Sequence, residues 1–253
     1  QIAGFSVGMQ EITENKKSEM EIARLRKQQE AFLRHEVKNL IGPLQLFSEV
    51  LLMDTENLTQ KQKQYLRNIA ESAGQVMRFT DAVRQIHDFE AGNYHLQLTH
   101  YPLGSILTQA IQNLRLIAEN NGVILQFRGI KKEAMVKLDQ NFLPGVFTNL
   151  ILNAIEHVAG LKESQEKVVR ISLTGKQERY VVKIVNRGVP IPLERLETFF
   201  EKYNSGPEKH NYTGLGTTYA WLVTKAHGGD ITVTSNRKDG TTVSVVLPVS
   251  SSE

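Results

Sequence analysis

The sequence predicts an α+β chain: a helical hairpin that dimerisation would complete as a four-helix bundle, followed by an α/β sandwich with helices on one face of a mixed sheet. Three observations lead there. From Lys16 to about Met53 the residues are mostly Glu, Lys, Arg, Gln and Leu, and only Gly42 and Pro43 break the run. A second amphipathic run begins at Thr59 with the form of a capping box. Beyond Asn93 the pattern changes to β-branched alternation interleaved with apolar helical stretches, the mark of a layered sheet-and-helix domain.

The first helix carries Ile22, Leu25 and Phe32 at coiled-coil-like spacing, interrupted by Gln29. Thr59-Gln-Lys-Gln62 starts a second helix that runs through Tyr65, Ile69, Ala73, Val76 and Val83 to about Phe89. Two antiparallel helices bury little alone, which is why a homodimer is expected. A boundary falls near Glu90-Ala-Gly-Asn93. The expected domains are 1–19, the end of an upstream domain and its signalling linker, 20–92, the hairpin, and 93–253, the sandwich. In the last of these, strands are expected at Leu96–His100, Val123–Arg128, Lys137–Asp139, Val168–Leu173, Tyr180–Val185, Asp230–Thr234 and Thr241–Leu247. Helices are expected at Gly104–Asn120, around Asn149 with an end near Gly160, and at Thr218–His227 before the stop Gly228-Gly229.

Composition narrows the function classes. With 40% hydrophobic and 23% charged residues in 253, the chain reads as an ordinary globular protein of about two domains. A net charge of +3 with no block of like charges does not make a nucleic-acid binder. The absence of cysteine removes disulfides and thiolate metal sites and fits a cytoplasmic setting. No apolar run is long enough to span a membrane, and a start at Gln1 without a signal-peptide pattern suggests a piece of something longer.

Four places carry chemistry. Asn149 and Asn153 share one face of an otherwise apolar helix, a stripe that continues through His157. Burying an unpaired amide costs roughly 1–3 kcal/mol, so the pair needs a polar partner: each other, a neighbouring loop, or Mg²⁺ beside phosphates. His35, Glu36 and Asn39 lie within one arc of the long helix, where Glu36 is placed to take the imidazole proton or fix its tautomer. A lone His on a charged helix is more often simply solvated. In Ile184-Val-Asn186-Arg-Gly188-Val-Pro-Ile-Pro192 a strand ends in a turn that Gly188 permits and prolines stiffen. Tyr212-Thr213-Gly214-Leu215-Gly216-Thr217-Thr218 leads into a helix N-terminus, whose backbone N–H groups suit a phosphate. The P-loop pattern and the Rossmann layout are both absent.

In this order the pieces resemble the sensor histidine kinases of two-component systems. His35-Glu36-Val37-Lys38-Asn39 looks like the phosphoacceptor box and Asn149-x-x-x-Asn153-Ala154 like the asparagine box. Asn186-x-Gly188 resembles the first glycine box, Phe199-Phe200-Glu201-Lys202-Tyr203 the phenylalanine box, and Gly214-Leu215-Gly216 the second glycine box. Ala226-His227-Gly228-Gly229-Asp230-Ile231 is similar to the family's usual continuation. The resemblance covers residues 20–250, and the stretch Gly8–Glu14 looks like the end of a PAS domain.

The resemblance implies a Bergerat-type ATP-binding domain, the histidine kinase/Hsp90-like ATPase fold, with ATP and Mg²⁺ as cofactors. Asn153, helped by Asn149, would hold Mg²⁺, and Asn186 would meet the adenine amino group. Gly188 would let the backbone approach the base, while Gly214, Leu215, Gly216 and Thr217 would face the phosphates. His157, Ile191, Phe200, Lys202 and Tyr203 complete the expected ATP site, and Asn204–Thr213 its lid. His35 would accept the γ-phosphoryl group and pass it to an aspartate of a response regulator. Glu36 and Asn39 also match the family's phosphatase signature toward that regulator. The resemblance leaves open a full-length protein tethered to the inner membrane.

Several positions depart from the family pattern. Leu40 stands where a proline is usual, Asn186 replaces an aspartate, Pro190 a glycine and Tyr212 another glycine, while Glu156 replaces a frequent basic residue. Of these, Asn186, Tyr212 and Leu40 support an alternative, a degenerate kinase acting as a dimeric scaffold or regulator-binding phosphatase. A stand-alone Bergerat ATPase of the chaperone or repair type fits less well, because those lack the upstream His35 helix.

Overall fold

The computed structural model describes residues 37, 39–53, 58–130, 134–162, 166–176, 178–203 and 214–249. The chain divides into two compact units between Asp81 and Ala82.

In the first unit, helix α1 (39–53) and the start of helix α2 (Gln60–Glu90) form the expected hairpin. The capping box at Thr59 is made in full: the Thr59 N–H donates to Gln62 Oε1 at 2.9 Å, and the Gln62 N–H donates back to Thr59 Oγ1 at 3.3 Å. Two otherwise unmet backbone donors are satisfied, which is why the helix starts where it does. A shallow apolar groove of about 310 Å³ runs between the helices, lined by Ile41, Leu44, Ile69, Ala73 and Val76. Leu40, Phe47 and Tyr65 remain exposed in the single chain.

The second unit takes in the last turns of α2. Ile86 and Phe89 are buried there, and the Phe89 ring lies 4.4 Å from Tyr94 and meets Phe142 and Tyr219 edge-on at 5.1 and 6.5 Å. Helix α2 ends at Glu90, close to the expected boundary, but the change of packing partner comes inside the helix.

After α2 come β1 (Thr99–Pro102), α3 (Leu103–Asn120), β2 (Ile124–Arg128), β3 (Met135–Leu138), α4 (Leu143–Ala159), β4 (Val168–Lys176) and β5 (Arg179–Asn186). They are followed by α5 (Leu193–Glu197), α6 (Gly216–Ala226), β6 (Asp230–Asn236) and β7 (Gly240–Pro248). The main sheet has the order β2-β4-β5-β7-β6, with β2 parallel to β4 and every other pair antiparallel. Strands β1 and β3 form a separate antiparallel pair. The first strand is shifted from its expected place because the Gln97 N–H donates to the Asp139 carboxylate instead of a ladder. Short helix α5, which follows Pro192, was not expected.

One face of the sheet is the core. Ile171, Ile184 and Val243 stand opposite one another across β4, β5 and β7, as do Leu173, Val182 and Val245, and all six are buried. Directly paired residues share a face, so these rows define a single apolar layer. Helices α3, α4 and α6 cover it, α4 packing on β4 and β5 and α6 on β6. The expected mixed sheet with helices on one face is therefore present. Helix α4 buries Val146, Phe147, Leu150, Ile151, Ala154, Ile155 and Val158, leaving one stripe for polar side chains. Among the described residues no helix is long and apolar enough to cross a membrane.

Candidate ATP-binding site

The polar stripe of α4 is the floor of the site. Asn149, Asn153 and His157 recur every fourth residue, each half-buried, and span about 12 Å at 1.5 Å per residue. Two glycine turns approach the ends of this stripe. At one end, a Cβ built on Gly216 would lie 3.5 Å from Cγ of Asn149, which brings the N-terminus of α6 against α4. At the other, a Cβ on Gly188 would lie 2.6 Å from Nε2 of His157, so the turn after β5 sits on His157 only because the residue is glycine. Asn153 falls between these two contacts.

The two turns are held differently. Gly214 adopts φ +63°, a left-handed conformation that favours glycine and that delivers the chain into α6. Leu215 is buried beneath it, and Gly216, Thr217 and Thr218 form the first turn of the helix. The Thr218 hydroxyl is buried with no hydrogen-bond partner among the described residues. The β5 turn is tied to the sheet through Ile191, whose N–H donates to Ser235 Oγ at 3.0 Å; Ser235 Oγ lies 2.7 Å from Thr241 Oγ1.

Asn186 ends β5 on the buried face, paired with Thr241 of β7. It is 6% exposed, and its amide nitrogen has no hydrogen-bond partner among the described residues. A buried donor without an acceptor is uncommon, and a ligand acceptor is the simplest way to satisfy it. By that test the residues fit a purine nucleotide: an unmet donor and a glycine approach at one end of a polar stripe, helix N–H groups at the other. Mg²⁺ would have to use the amide oxygens of Asn149 and Asn153 with phosphate oxygens. Among the described residues there is no cluster of three or more His, Cys, Asp or Glu side chains to hold it.

Of the remaining expected residues, Phe200 is half-buried and packs edge-on against Phe199 at 5.1 Å. Lys202 pairs with Glu90 of α2 at 2.5 Å, an exposed ion pair worth little to stability. Tyr203 has φ +60° and is exposed. Asn39 lies on α1 of the first unit. His35, Glu36, the PAS-like stretch at residues 1–19 and the lid Asn204–Thr213 lie outside the described residues.

The sequence reading missed a buried polar knot that anchors the site. The Asp139 N–H donates to His227 Nε2 at 3.0 Å, and His227 Nδ1 donates to the Val223 carbonyl at 2.7 Å. Those roles require a neutral imidazole with its proton on Nδ1. Burial lowers the His227 pKa from its ordinary value, against the opposing effects of the Val223 bond and the Asp139 charge. The Asp139 carboxylate accepts from the N–H groups of Gln97 and Asn141, shaping the turn into α4. Tyr219 of α6 donates to the Phe142 carbonyl at 2.8 Å, and burial followed by the Asp139 charge raises its phenol pKa. A Cβ on Gly145 would come within 2.9 Å of that phenol oxygen. The helices bearing Asn149 and Gly216 are thus locked together at their ends. The only local signal for this was the His227-Gly228-Gly229 sequence.

Residues 138–251 match the family described as histidine kinase-, DNA gyrase B-, and HSP90-like ATPase, and the second unit carries that ATPase fold. The chain is similar to histidine kinases: it is 27% identical to the histidine protein kinase DivJ of Caulobacter vibrioides over 87% of its own length and 36% of that protein. A structure of full-length ShkA in complex with AMPPNP shares the fold with a TM-score of 0.70 and 17% identity, over 89% of this chain and 46% of that one. Histidine kinase ThkA, solved in complex with the response regulator protein TrrA, gives a TM-score of 0.58 at 21% identity, over 87% and 60%. The chain spans about two fifths of the length of the curated relatives it matches.

Proposed function

We propose that this chain is the core of a sensor histidine kinase, with residues 20–92 as a dimeric phosphotransfer bundle and 93–253 as its ATP-binding catalytic domain. The observation that carries the reading is the α4 stripe of Asn149, Asn153 and His157, met at its two ends by Gly216 and Gly188. ATP with Mg²⁺ supplies the γ-phosphoryl group. Asn186 and Gly188 receive the base, the amide oxygens of Asn153 and Asn149 hold the metal, and the N–H groups at Gly214, Gly216 and Thr217 receive phosphate oxygens. Ile191, Phe200, Lys202 and Tyr203 border the nucleotide. His35 offers an imidazole nitrogen in line with the γ-phosphorus, and Glu36 fixes its tautomer or takes its proton. Phosphoryl transfer depends mostly on such positioning and charge neutralisation. The phosphoryl group then passes to an aspartate on a response-regulator receiver domain, and Asn39 orients water when the regulator is dephosphorylated.

The exposed apolar side chains of α1 and α2 support dimerisation, since the hairpin has little core of its own. The test is incubation with γ-labelled ATP and Mg²⁺, comparing the parent with His35→Gln and Asn153→Ala. Acid-labile label in the parent, lost in both variants, is the expected result. A parent that binds nucleotide but takes up no label would favour the scaffold or phosphatase reading, which Asn186 and Leu40 support.

A further inference from the structure

The amide nitrogen of Asn186 is a buried donor at the base end of the site with no hydrogen-bond partner among the described residues. We infer that Asn186 determines base specificity, and that its carboxamide lets this site take 6-oxopurine nucleotides as well as adenine nucleotides. The inference rests on the nucleotide-site reading given above and concerns only which purine that site accepts.

The argument is one of donor and acceptor matching. A carboxamide presents one acceptor oxygen and a donor nitrogen side by side. Adenine offers the complement along its N6/N1 edge: an amino donor and a ring acceptor. Hypoxanthine offers the same pair reversed, an O6 acceptor and an N1–H donor. Rotating the Asn side chain by half a turn exchanges its oxygen and nitrogen, and that torsion is broad and nearly two-fold. The Asn186 amide nitrogen makes no hydrogen bond among the described residues, so nothing on that atom holds the group in one orientation. Either base therefore satisfies both of its polar atoms. A carboxylate at the same place accepts only, and it would face O6 of a 6-oxopurine with a second negative oxygen.

The surroundings favour a fixed backbone with a free side chain. Asn186 is registered opposite Thr241 on β7 and Val169 on β4, and a Cβ on Gly240 would come within 2.3 Å of the Asn186 carbonyl oxygen, so its main chain is closely packed. Only the amide can adjust to the ligand.

The experiment measures affinities for the whole chain by displacement of fluorescent trinitrophenyl-ATP in Mg²⁺, using ATP, ITP and GTP as competitors. ITP is the main probe, because it changes the 6-position and N1 without adding the 2-amino group. The parent should bind ITP within about tenfold of ATP, since neither leaves a polar group unpaired. Asn186→Asp, equal in size, should weaken ITP relative to ATP by at least about tenfold, and Asn186→Leu should weaken both together. A parent that prefers ATP over ITP by more than about a hundredfold would overturn the inference. An unchanged ATP-to-ITP ratio in Asn186→Asp would overturn it too. If the parent bound no nucleotide at all, the site reading itself would fall, a result distinct from either of these.

Discussion

Replacing Phe89 by alanine tests whether the end of α2 is core to the second unit or a tail leaving it. The side chain is 6% exposed and touches three aromatic rings, Tyr94, Phe142 and Tyr219, from three different segments. Truncating a buried Phe to Ala costs about 3–5 kcal/mol, part of it from aromatic pairs worth about 0.5–1.5 kcal/mol each. A loss of about 3–4 kcal/mol at a urea slope of about 2 kcal/mol/M moves the midpoint down by about 1.5–2 M. The single tryptophan, Trp221, lies in α6, so its fluorescence follows the second unit alone. Val83→Ala, on the same helix but exposed, provides the control and should shift the midpoint little. If Phe89→Ala moves the Trp221 transition by less than about 0.5 M, the ring is not part of that core and the reasoning fails.

Two further outcomes are expected. Gly188→Val should abolish displacement of trinitrophenyl-ATP while leaving the Trp221 unfolding midpoint within about 1 M urea of the parent, because the added carbons displace His157 and fill the base end of the site; binding within twofold of the parent would show that this turn does not border the nucleotide. The lowered His227 pKa means that the folded state releases a proton the unfolded state keeps, so His227 contributes its full share of stability above about pH 6.5, and that share falls as pH drops toward the folded value. Urea midpoints at pH 8 and pH 5.5 should therefore differ more in the parent than in His227→Gln, and equal differences would count against the neutral, doubly bonded imidazole.

Much of the fold was legible because its signals are local. The capping box at Thr59, the β-branched runs of β4 to β7 and the apolar periodicity of α4 each fix a backbone state within a few residues. The asparagine stripe was legible for the same reason, since residues four apart on a helix must share a face. The edges were less clear where a long-range bond competes with a local pattern. Gln97 fits an alternating strand, yet its N–H goes to Asp139, and β1 begins later.

The sequence by itself determined the elements, the order of the boxes, and which side chains could carry polar chemistry. Only the tertiary structure decided what faces what. It set Gly188 against His157 and Gly216 against Asn149, paired Lys202 with Glu90 across 112 positions, and joined His227 to Asp139 across 88. It also moved the end of α2 into the second unit. Such contacts depend on how the whole sheet and its covering helices pack, and hydrophobic periodicity records which face is buried but not against what. The amide of Asn186 belongs to the same class: its identity is written in the chain, but its burial, with no partner for its nitrogen among the described residues, exists only once β5, β7 and α4 have come together.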